Sequence, residues 1–574
     1  MKLNERMITS MSILQFKEAN CKNCYKCIRN CPVKAIRVVD QHAQIVEEDC
    51  ILCGRCTVVC PQNAKQDISS LSEIRQLILA GREVVAAVAP SYAAYFSGCD
   101  WQVFSMAIQQ LGFSQVFETA EGAHLVKSEY ERLLRSDIEG PVISSCCSSI
   151  NQYVQKYLPE AIPLMAPVIT PLRAISRLIR QRCPGAAIVF LSPCISKKTE
   201  TTALGCSDGP DFDLTFDELE DWMRESDIHL SRAPVNSPAK LSRMFPVTGG
   251  VLRTMEKLPG WRYLAVDGME DCIAALQDAV DGKLKHCFIE VSACEGACVG
   301  GPAFLKRDKR VAVAASVIQD SALDGSDEDF QVSEEITLET SFKKMPVYRP
   351  APTEEQLQNI LRRMGKQSAE DELNCGMCGY STCREKAYAV FQGRADITMC
   401  LPYMQAKAES YSDKIVNVSP NAIVTVGRDL KVKQINQAAC EIFSIRKRED
   451  IIGYPVSRIL DEFDFVKSLS GDGRQITNYT YLSDYNVYLE QVFICDEDKE
   501  IVTCIMKNVT QSRQKRNHVR QVKLRTASMA DEIVEKQMRI AHEIASLLGE
   551  TVAETKVAIN DLKNTIMMDE DKGE

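Results

Sequence analysis

No run in this chain approaches the roughly 18 uninterrupted apolar residues of a membrane-spanning helix. The longest candidate, Val84 to Phe96, is interrupted by Pro90 and Ser91. The opening MKLNERMITSMSILQFKEAN lacks the continuous apolar core of a secretory signal, so a cytoplasmic location with no membrane partner is expected. Net positive charge is missing too. With 68 basic and 78 acidic residues the formal charge is −10, which argues against a nucleic-acid partner. Tandem repeats of ~20–50 residues are absent, and no proline follows Pro455. The composition of a disordered chain is also absent, since 45% of residues are hydrophobic and 25% charged. At ~100–200 residues per domain, 574 residues imply several domains.

Cysteine is what the chain has in excess. Twenty-five thiols in a cytoplasmic chain do not suit a disulfide framework, and they fall in runs with metal-ligand spacing. Residues 1–65 carry Cys21-x2-Cys24-x2-Cys27-x3-Cys31-Pro32 and then Cys50-x2-Cys53-x2-Cys56-x3-Cys60-Pro61. This is the bacterial two-cluster ferredoxin spacing, in which three cysteines hold one [4Fe–4S] cube and the fourth crosses to the other. Cys21, Cys24, Cys27 and Cys60 are expected at one cube, and Cys50, Cys53, Cys56 and Cys31 at the second. Structural zinc, the alternative, uses pairs of CxxC instead. Two low-potential clusters in series make an electron wire, and a wire implies a redox centre at its inner end.

Residues 75–348 alternate strand-like runs (EVVAAVAP, AAIVFLSP, HCFIEVSA) with amphipathic stretches such as VFSMAIQQLGF and AISRLIRQRC, the pattern of an α/β body. A second strand-rich stretch precedes the linker RPAP, from Arg349 to Pro352. Three loops after strand-like segments carry cysteines: VISSCCSSI (Cys146, Cys147), FLSPCISKK (Cys194) and IEVSACEGACVGG (Cys294, Cys298). Such loops are where α/β proteins build sites. With VAPS (Val88 to Ser91) and VTGGV (Val247 to Val251), they resemble the catalytic domain of [FeFe]-hydrogenases. The resemblance implies that Cys147, Cys194, Cys294 and Cys298 hold a [4Fe–4S] cube. It further implies that Cys298 bridges to a di-iron unit carrying CO, cyanide and an azadithiolate. By the same resemblance Cys146 passes protons, Lys197 donates to a cyanide, and Ala89, Pro90 and Ser91 form the cyanide-binding loop. Ser192 and Ser292 stand where the family has methionines near the di-iron unit, and SSCCSSI and GGPAF stand for TSCCPGW and GGGQ. Hydroxyls in place of thioethers imply altered hydrogen bonding and slower turnover. The stretch KSEYER offers Glu129 or Glu131 as an acidic proton exit, with exposed helix charge as the alternative.

Residues 366–405 contain Cys375-x2-Cys378-x4-Cys383-x16-Cys400, which resembles the small [4Fe–4S] domain of electron-transfer subunits. Four cysteines also suit structural zinc. Lying in sequence between the body and the carboxyl-terminal third of the chain, the segment is placed to act as a relay. Residues 408–511, with runs AIVTVG, KVKQIN, TYLSDYNVYLEQVF and EIVTCIMKNV, resemble a PAS domain, a sensory or dimerisation module. Residues 512–570 read as a coiled-coil helix. Val519, Val522, Thr526, Met529, Ile533 and Ile540 form one seam; Ile544, Leu548, Thr555, Ile559, Leu562 and Ile566 form another, offset by a four-residue shift. Gly549 is a candidate hinge and His542 a candidate phospho-acceptor.

The expected fold is multidomain α/β and α+β: a ferredoxin-like head, a hydrogenase-like α/β body, a small cluster domain, a PAS domain and a helical tail. That order resembles the sensory group of [FeFe]-hydrogenases. The resemblance implies H2 and protons as substrates, and four [4Fe–4S] clusters plus one di-iron unit. It also implies ferredoxin or another redox partner, a homodimer through PAS and coiled coil, and a downstream kinase or phosphatase. A bulk ferredoxin-coupled hydrogenase and a non-catalytic iron–sulfur assembly or scaffold protein are the alternatives.

Overall fold

A computed structural model describes residues 13–39, 42–136, 138–230, 237–327, 330, 334–470, 475–496, 500–548 and 552–568. The chain divides into two compact units, Met1–Met404 and Gln405–Glu574. In the first, β1 (Leu14–Phe16), β2 (Ile36–Val39), β3 (His42–Ile45) and β4 (Lys65–Asp67) form two small antiparallel ladders, β1 with β4 and β2 with β3. The head ladder therefore runs to Asp67, just past the expected boundary. Each cysteine run wraps one helical turn, Lys26–Arg29 in the first and Arg55–Val58 in the second. The duplication seen in the cysteine spacing extends to the backbone. Left-handed residues Asn23, Tyr25 and Lys34 recur as Leu52, Gly54 and Asn63. Likewise the Ala35 N–H donates to Cys31 Sγ and the Ala64 N–H to Cys60 Sγ, each at 3.3 Å.

The body has two parallel sheets. Its strands are β5 (Val84–Val88), β6 (Gln115–Glu118), β7 (Val142–Ile143), β8 (Ala187–Ser192), β9 (Phe212–Thr215), β10 (Arg262–Asp267) and β11 (Cys287–Ser292). The orders are β6-β5-β8-β9 and β10-β11-β7. The three apolar runs read from the sequence are β5, β8 and β11, each interior to its sheet. Buried on both faces, they are near-continuous apolar runs instead of alternating ones, with Glu290 the one acid inside β11. The amphipathic stretches form helices Trp101–Gln110 and Pro171–Arg182. The first starts at Asp100, whose carboxylate accepts the Gln102 N–H, and the second at Thr170 with Pro171 in its first turn. The expected second strand-rich stretch is different. Residues 334–352 run extended along the body and join no sheet beyond one bridge, Val168 to Glu339. Their backbone is satisfied piecemeal, as where the Ile169 N–H meets the Leu338 carbonyl and the Met345 N–H the Gln155 carbonyl.

Helices Glu354–Arg363 and Cys383–Phe391 pack together as the small cysteine module that ends the first unit. In the second unit β12 (Ala422–Gly427), β13 (Val432–Ile435), β14 (Ile476–Leu482), β15 (Val487–Asp496) and β16 (Ile501–Asn508) form one antiparallel sheet, ordered β13-β12-β16-β15-β14. The run TYLSDYNVYLEQVF, read as one strand, is a hairpin: Tyr481 pairs with Tyr488 and Leu482 with Val487. Helices Thr510–Leu548 and Val552–Met568 follow. The expected single coiled-coil helix is corrected here. Lys563 Nζ lies 2.8 Å from Asp531 Oδ1, whereas about 32 residues of one helix would separate them by ~48 Å. The helices fold back into a hairpin within one chain. Gly549, the candidate hinge, lies outside the described residues, as do the side chains of Ile544, Leu548, Thr555 and Ile566. No described helix is long and apolar enough to cross a membrane.

Candidate functional site

The loops that leave β5, β7, β8 and β11 at their carboxyl ends open into one cavity of about 130 Å³. Ala89, Pro90, Ser91, Cys146, Cys147, Ser192, Cys194, Lys197, Ser292, Cys294 and Cys298 all line it. Residues more than two hundred positions apart in sequence thus meet at one place. Cys298 is exposed and lines the cavity. Burial pushes the Cys146, Cys194 and Cys298 thiols up to about 12, and Cys294 well above its ordinary value. Without a metal these are neutral thiols, so binding iron as thiolate expels protons.

Two charged or polar side chains are aimed at this centre. The buried Lys197 ammonium donates to the Cys146 carbonyl at 3.1 Å and to Glu200 Oε1 at 2.8 Å. Ser148 and Thr170 hydroxyls hold that carboxylate in turn. Burial, the largest single influence, lowers the pKa of Lys197, but the charge and hydrogen bond of Glu200 together with Cys194 and Cys146 outweigh it and raise the pKa. Ser91 Oγ is fully buried on the cavity side and has no hydrogen-bond partner among the described residues.

Sequence reasoning missed several residues, Glu200 among them. Tyr130, buried on helix Thr119–Leu134, brings its hydroxyl within 3.3 Å of Cys146 Sγ and 2.9 Å of Ser145 Oγ. Its neighbours Glu129 and Glu131, the candidate proton exit, do not reach the cavity: Glu129 pairs with Arg132, and Glu131 accepts the Glu256 N–H. Glu290, in the middle of β11, is 3% exposed and accepts the Leu252 N–H at 3.0 Å. Burial raises its pKa to about 7, with Cys146 and Cys298 among the groups that feel its charge. The apolar run around Glu290 was the available signal, since a lone acid inside a buried strand needs a reason.

The head touches the cavity through Cys53, which lines it and whose charge acts on Cys294. The contact is tight. Gly54 has φ +72°, and a Cβ there would fall 2.5 Å from Pro302. The head cysteines Cys31, Cys50 and Cys53 pack against the body core beside Cys147. Cys21, Cys27, Cys31 and Cys56 share a core with Tyr380 and Cys378 of the small module. Gly379 (φ +92°) comes so close that a Cβ would lie 3.1 Å from Ile28, while Arg29 donates to the Met377 carbonyl and Lys34 to the Gly379 carbonyl. The module thus packs on the head, and its cysteines do not line the body cavity. Cys375, Cys378, Cys383 and Cys400 line one small cavity of their own.

Every cysteine set has a buried ammonium beside it. Lys65 faces Cys27 and Cys56, Lys386 faces Cys378 and Cys400, and Lys197 faces Cys194. Both Lys65 and Lys386 are 1% exposed and donate to backbone carbonyls, of Ala43 and Ile397. Lys197 has Glu200 as its ion-pair partner, whereas Lys65 and Lys386 make no ion pair within 4.0 Å among the described residues. A thiolate-bound anionic cluster would supply one.

Three stretches of the chain match known families. Residues 82–302 match the family "Iron only hydrogenase large subunit, C-terminal domain", residues 13–72 the family "4Fe-4S dicluster domain", and residues 371–402 the family FeS. The NADP-reducing hydrogenase subunit HndD of Solidesulfovibrio fructosivorans is 24% identical over 323 residues, 44% of this chain and 55% of its own length. The chain therefore spans only about half of that relative. The periplasmic [Fe] hydrogenase large subunit of Nitratidesulfovibrio vulgaris is 27% identical over 364 residues, 51% of this chain and 86% of its own. The cytosolic Fe-S cluster assembly factor NAR1 of Kluyveromyces lactis is 25% identical over 189 residues, 30% of this chain and 40% of its own. The chain is thus a hydrogenase-like iron–sulfur protein, related through its body to the [FeFe]-hydrogenase large subunit.

Proposed function

We propose that this is a sensory iron-only hydrogenase, which interconverts H2 with protons and electrons slowly and passes its redox state to a PAS-like output unit. The observation that carries the reading is the convergence of Cys146, Cys147, Cys194, Lys197, Cys294 and Cys298 on one cavity beside Cys53. Cys147, Cys194, Cys294 and Cys298 would hold a [4Fe–4S] cube, with Cys298 shared with a di-iron unit. When bound, that unit supplies the metal at which H2 is split or formed. The chain does the rest. Cys146 holds a proton as a neutral thiol at the cavity wall and can exchange it there, with Tyr130 fixing the sulfur. Lys197, aimed by Glu200, offers an ammonium to an anionic ligand such as cyanide. The unpartnered Ser91 hydroxyl and the Ala89–Pro90 turn suit a second one.

Electrons would pass from the Cys375, Cys378, Cys383 and Cys400 cluster to that of Cys21, Cys24, Cys27 and Cys60. From there they would reach Cys31, Cys50, Cys53 and Cys56, and finally the body. The packing of the module on the head supports electron entry through the head. In all, four [4Fe–4S] clusters and one di-iron unit are proposed, fed by ferredoxin or another redox partner in the cytoplasm. The strand order β13-β12-β16-β15-β14 supports a PAS-like second unit. Exposed Val519, Val522, Met529 and Ile533 offer an apolar face for a second copy. His542 is exposed on the same helix, open to a kinase or phosphatase partner.

The similarity to NAR1 favours a second reading, a scaffold that keeps the cubes and lacks the di-iron unit. Infrared spectroscopy of anaerobically matured protein separates the two. Carbon monoxide and cyanide stretches are expected; a protein with its full complement of [4Fe–4S] clusters but no such bands is a scaffold.

A further inference from the structure

A second polar network starts at the cavity wall and uses neither Cys146 nor Lys197. Ser192 lines the cavity, and its Oγ lies 3.4 Å from Oδ2 of Asp213 on the adjacent strand β9. Both residues are 1% exposed, and Asp213 Oδ1 has no hydrogen-bond partner among the described residues. The charged groups facing Asp213 are Lys198, Glu218 and Asp67. Lys198 Nζ is 3.0 Å from Asp67 and 3.5 Å from Glu218, and Lys306 Nζ is 2.9 Å from Asp67 and 3.3 Å from Asp217. Four carboxylates therefore share two ammonium groups. Asp67, Glu218 and Asp217 make the close ion pairs, which leaves Asp213 as the carboxyl without one. A buried carboxylate in that position takes up a proton instead of remaining charged.

The consequence falls on Ser192. Its oxygen already accepts the Cys194 N–H at 3.2 Å, and it keeps one lone pair and one hydrogen. An ionised Asp213 would draw that hydrogen to itself. A neutral Asp213 donates its own O–H to the remaining lone pair and turns the Ser192 hydrogen away, toward the cavity or the Cys194 carbonyl 3.4 Å off.

We propose that Asp213 is a neutral carboxylic acid that orients the Ser192 hydroxyl as a hydrogen-bond donor to an anionic ligand held in the cavity. Asp213 is a positioning residue, absent from the cavity lining. Only the identity of the ligand, cyanide, rests on the hydrogenase reading. The network also gives the Ser192 departure a physical role. A thioether at that position could not donate, and a carboxyl behind it would have no partner.

The first test needs no di-iron unit. In full-length protein carrying its iron–sulfur clusters at neutral pH, the infrared difference between wild type and Asp213→Asn is expected to show loss of a protonated-carboxyl C=O band that shifts in D2O. Loss of carboxylate bands in its place overturns the proposal. In matured protein, Ser192→Ala and Asp213→Val are expected to move the cyanide stretches in the same direction. Asp213→Asn, which can donate in the acid's stead, should move them much less. Cyanide bands unmoved by Ser192→Ala overturn the donor role. If wild-type protein shows no cyanide bands at all, the hydrogenase reading and cyanide as the ligand fail together, and the acid band alone decides the Asp213–Ser192 pair.

Discussion

At the scale of single residues, Cys298 and Cys146 sit in one cavity with opposite expected roles. The thiols found beside Cys298 among the described residues, Cys146, Cys147, Cys194 and Cys294, already have proposed roles, so Cys298→Ala is expected to remove the carbon monoxide and cyanide bands altogether. Cys146→Ala should keep those bands and lower H2 oxidation and proton reduction by about 10²-fold or more, the usual size of a lost general acid–base group. Identical behaviour of the two variants would show that Cys146 is not the proton-passing thiol. Glu290 makes a prediction about stability. Backbone N–H groups of Leu252, Gly249 and Val251, with Lys257, favour its charge, but burial outweighs them and lifts its pKa to about 7 from 4.5. A carboxyl raised on folding stabilises the fold most below its unfolded pKa, and that contribution is lost as pH rises through about 7. The loss is roughly 3 kcal/mol at most. Anaerobic thermal midpoints between pH 5 and 8 should fall in wild type more steeply than in Glu290→Gln; parallel curves would place the ionised form comfortably inside the fold.

At the scale of elements, the contact between the small module and the head turns on Gly379. An alanine there must adopt φ near +92° and press its Cβ against Ile28 at 3.1 Å. Gly379→Ala is expected to weaken docking by roughly 1–2 kcal/mol, seen as weaker magnetic coupling between the reduced clusters on either side. Unchanged coupling would mean the two elements shift apart without cost to the wire. Much of the element list was legible in sequence, because β5, β8 and β11 are apolar runs, the last two ended by cysteine loops, and the head cysteines repeat at fixed spacing. What was hidden depended on distant partners. Tyr130 lies among Lys127, Glu129, Glu131 and Arg132, and nothing local tells which of these turns inward. The β14–β15 hairpin has neither glycine nor proline at its turn; Ser483, Asp484 and a left-handed Asn486 make it. The segment before RPAP has strand-like composition but lies along helices and loops, where no neighbouring strand can build a ladder. Arg29 and Met377 are 348 positions apart, so the docking of module on head had no local signal.

At the scale of the whole molecule, the two units each carry their own core. That of residues 422–506 is closed around Val424, Phe465, Phe493 and Cys504, and the cavity residues all lie in Met1–Met404. The proposed sensor reading gives the second unit a role, because state must be read by something that differs between states. A ligand that binds both states equally shifts nothing. The states proposed here are the oxidised and reduced forms of the cluster chain. Cys400, the last cysteine of the small module, is followed directly by helix Leu401–Val418 and then by β12. One electron more on that cluster changes the field at the start of this helix. Slow turnover suits such a device, since occupancy of the reduced state carries the signal and flux does not. Deleting residues 408–574 is therefore expected to leave hydrogen activity per di-iron site within about twofold, while abolishing self-association and any H2-dependent effect on a signalling partner. Hydrogen exchange across 408–574 should differ between protein held under H2 and protein held under oxidant. Activity that collapses with the deletion, or exchange that is the same under both conditions, would leave an enzyme with an appended domain in place of a sensor.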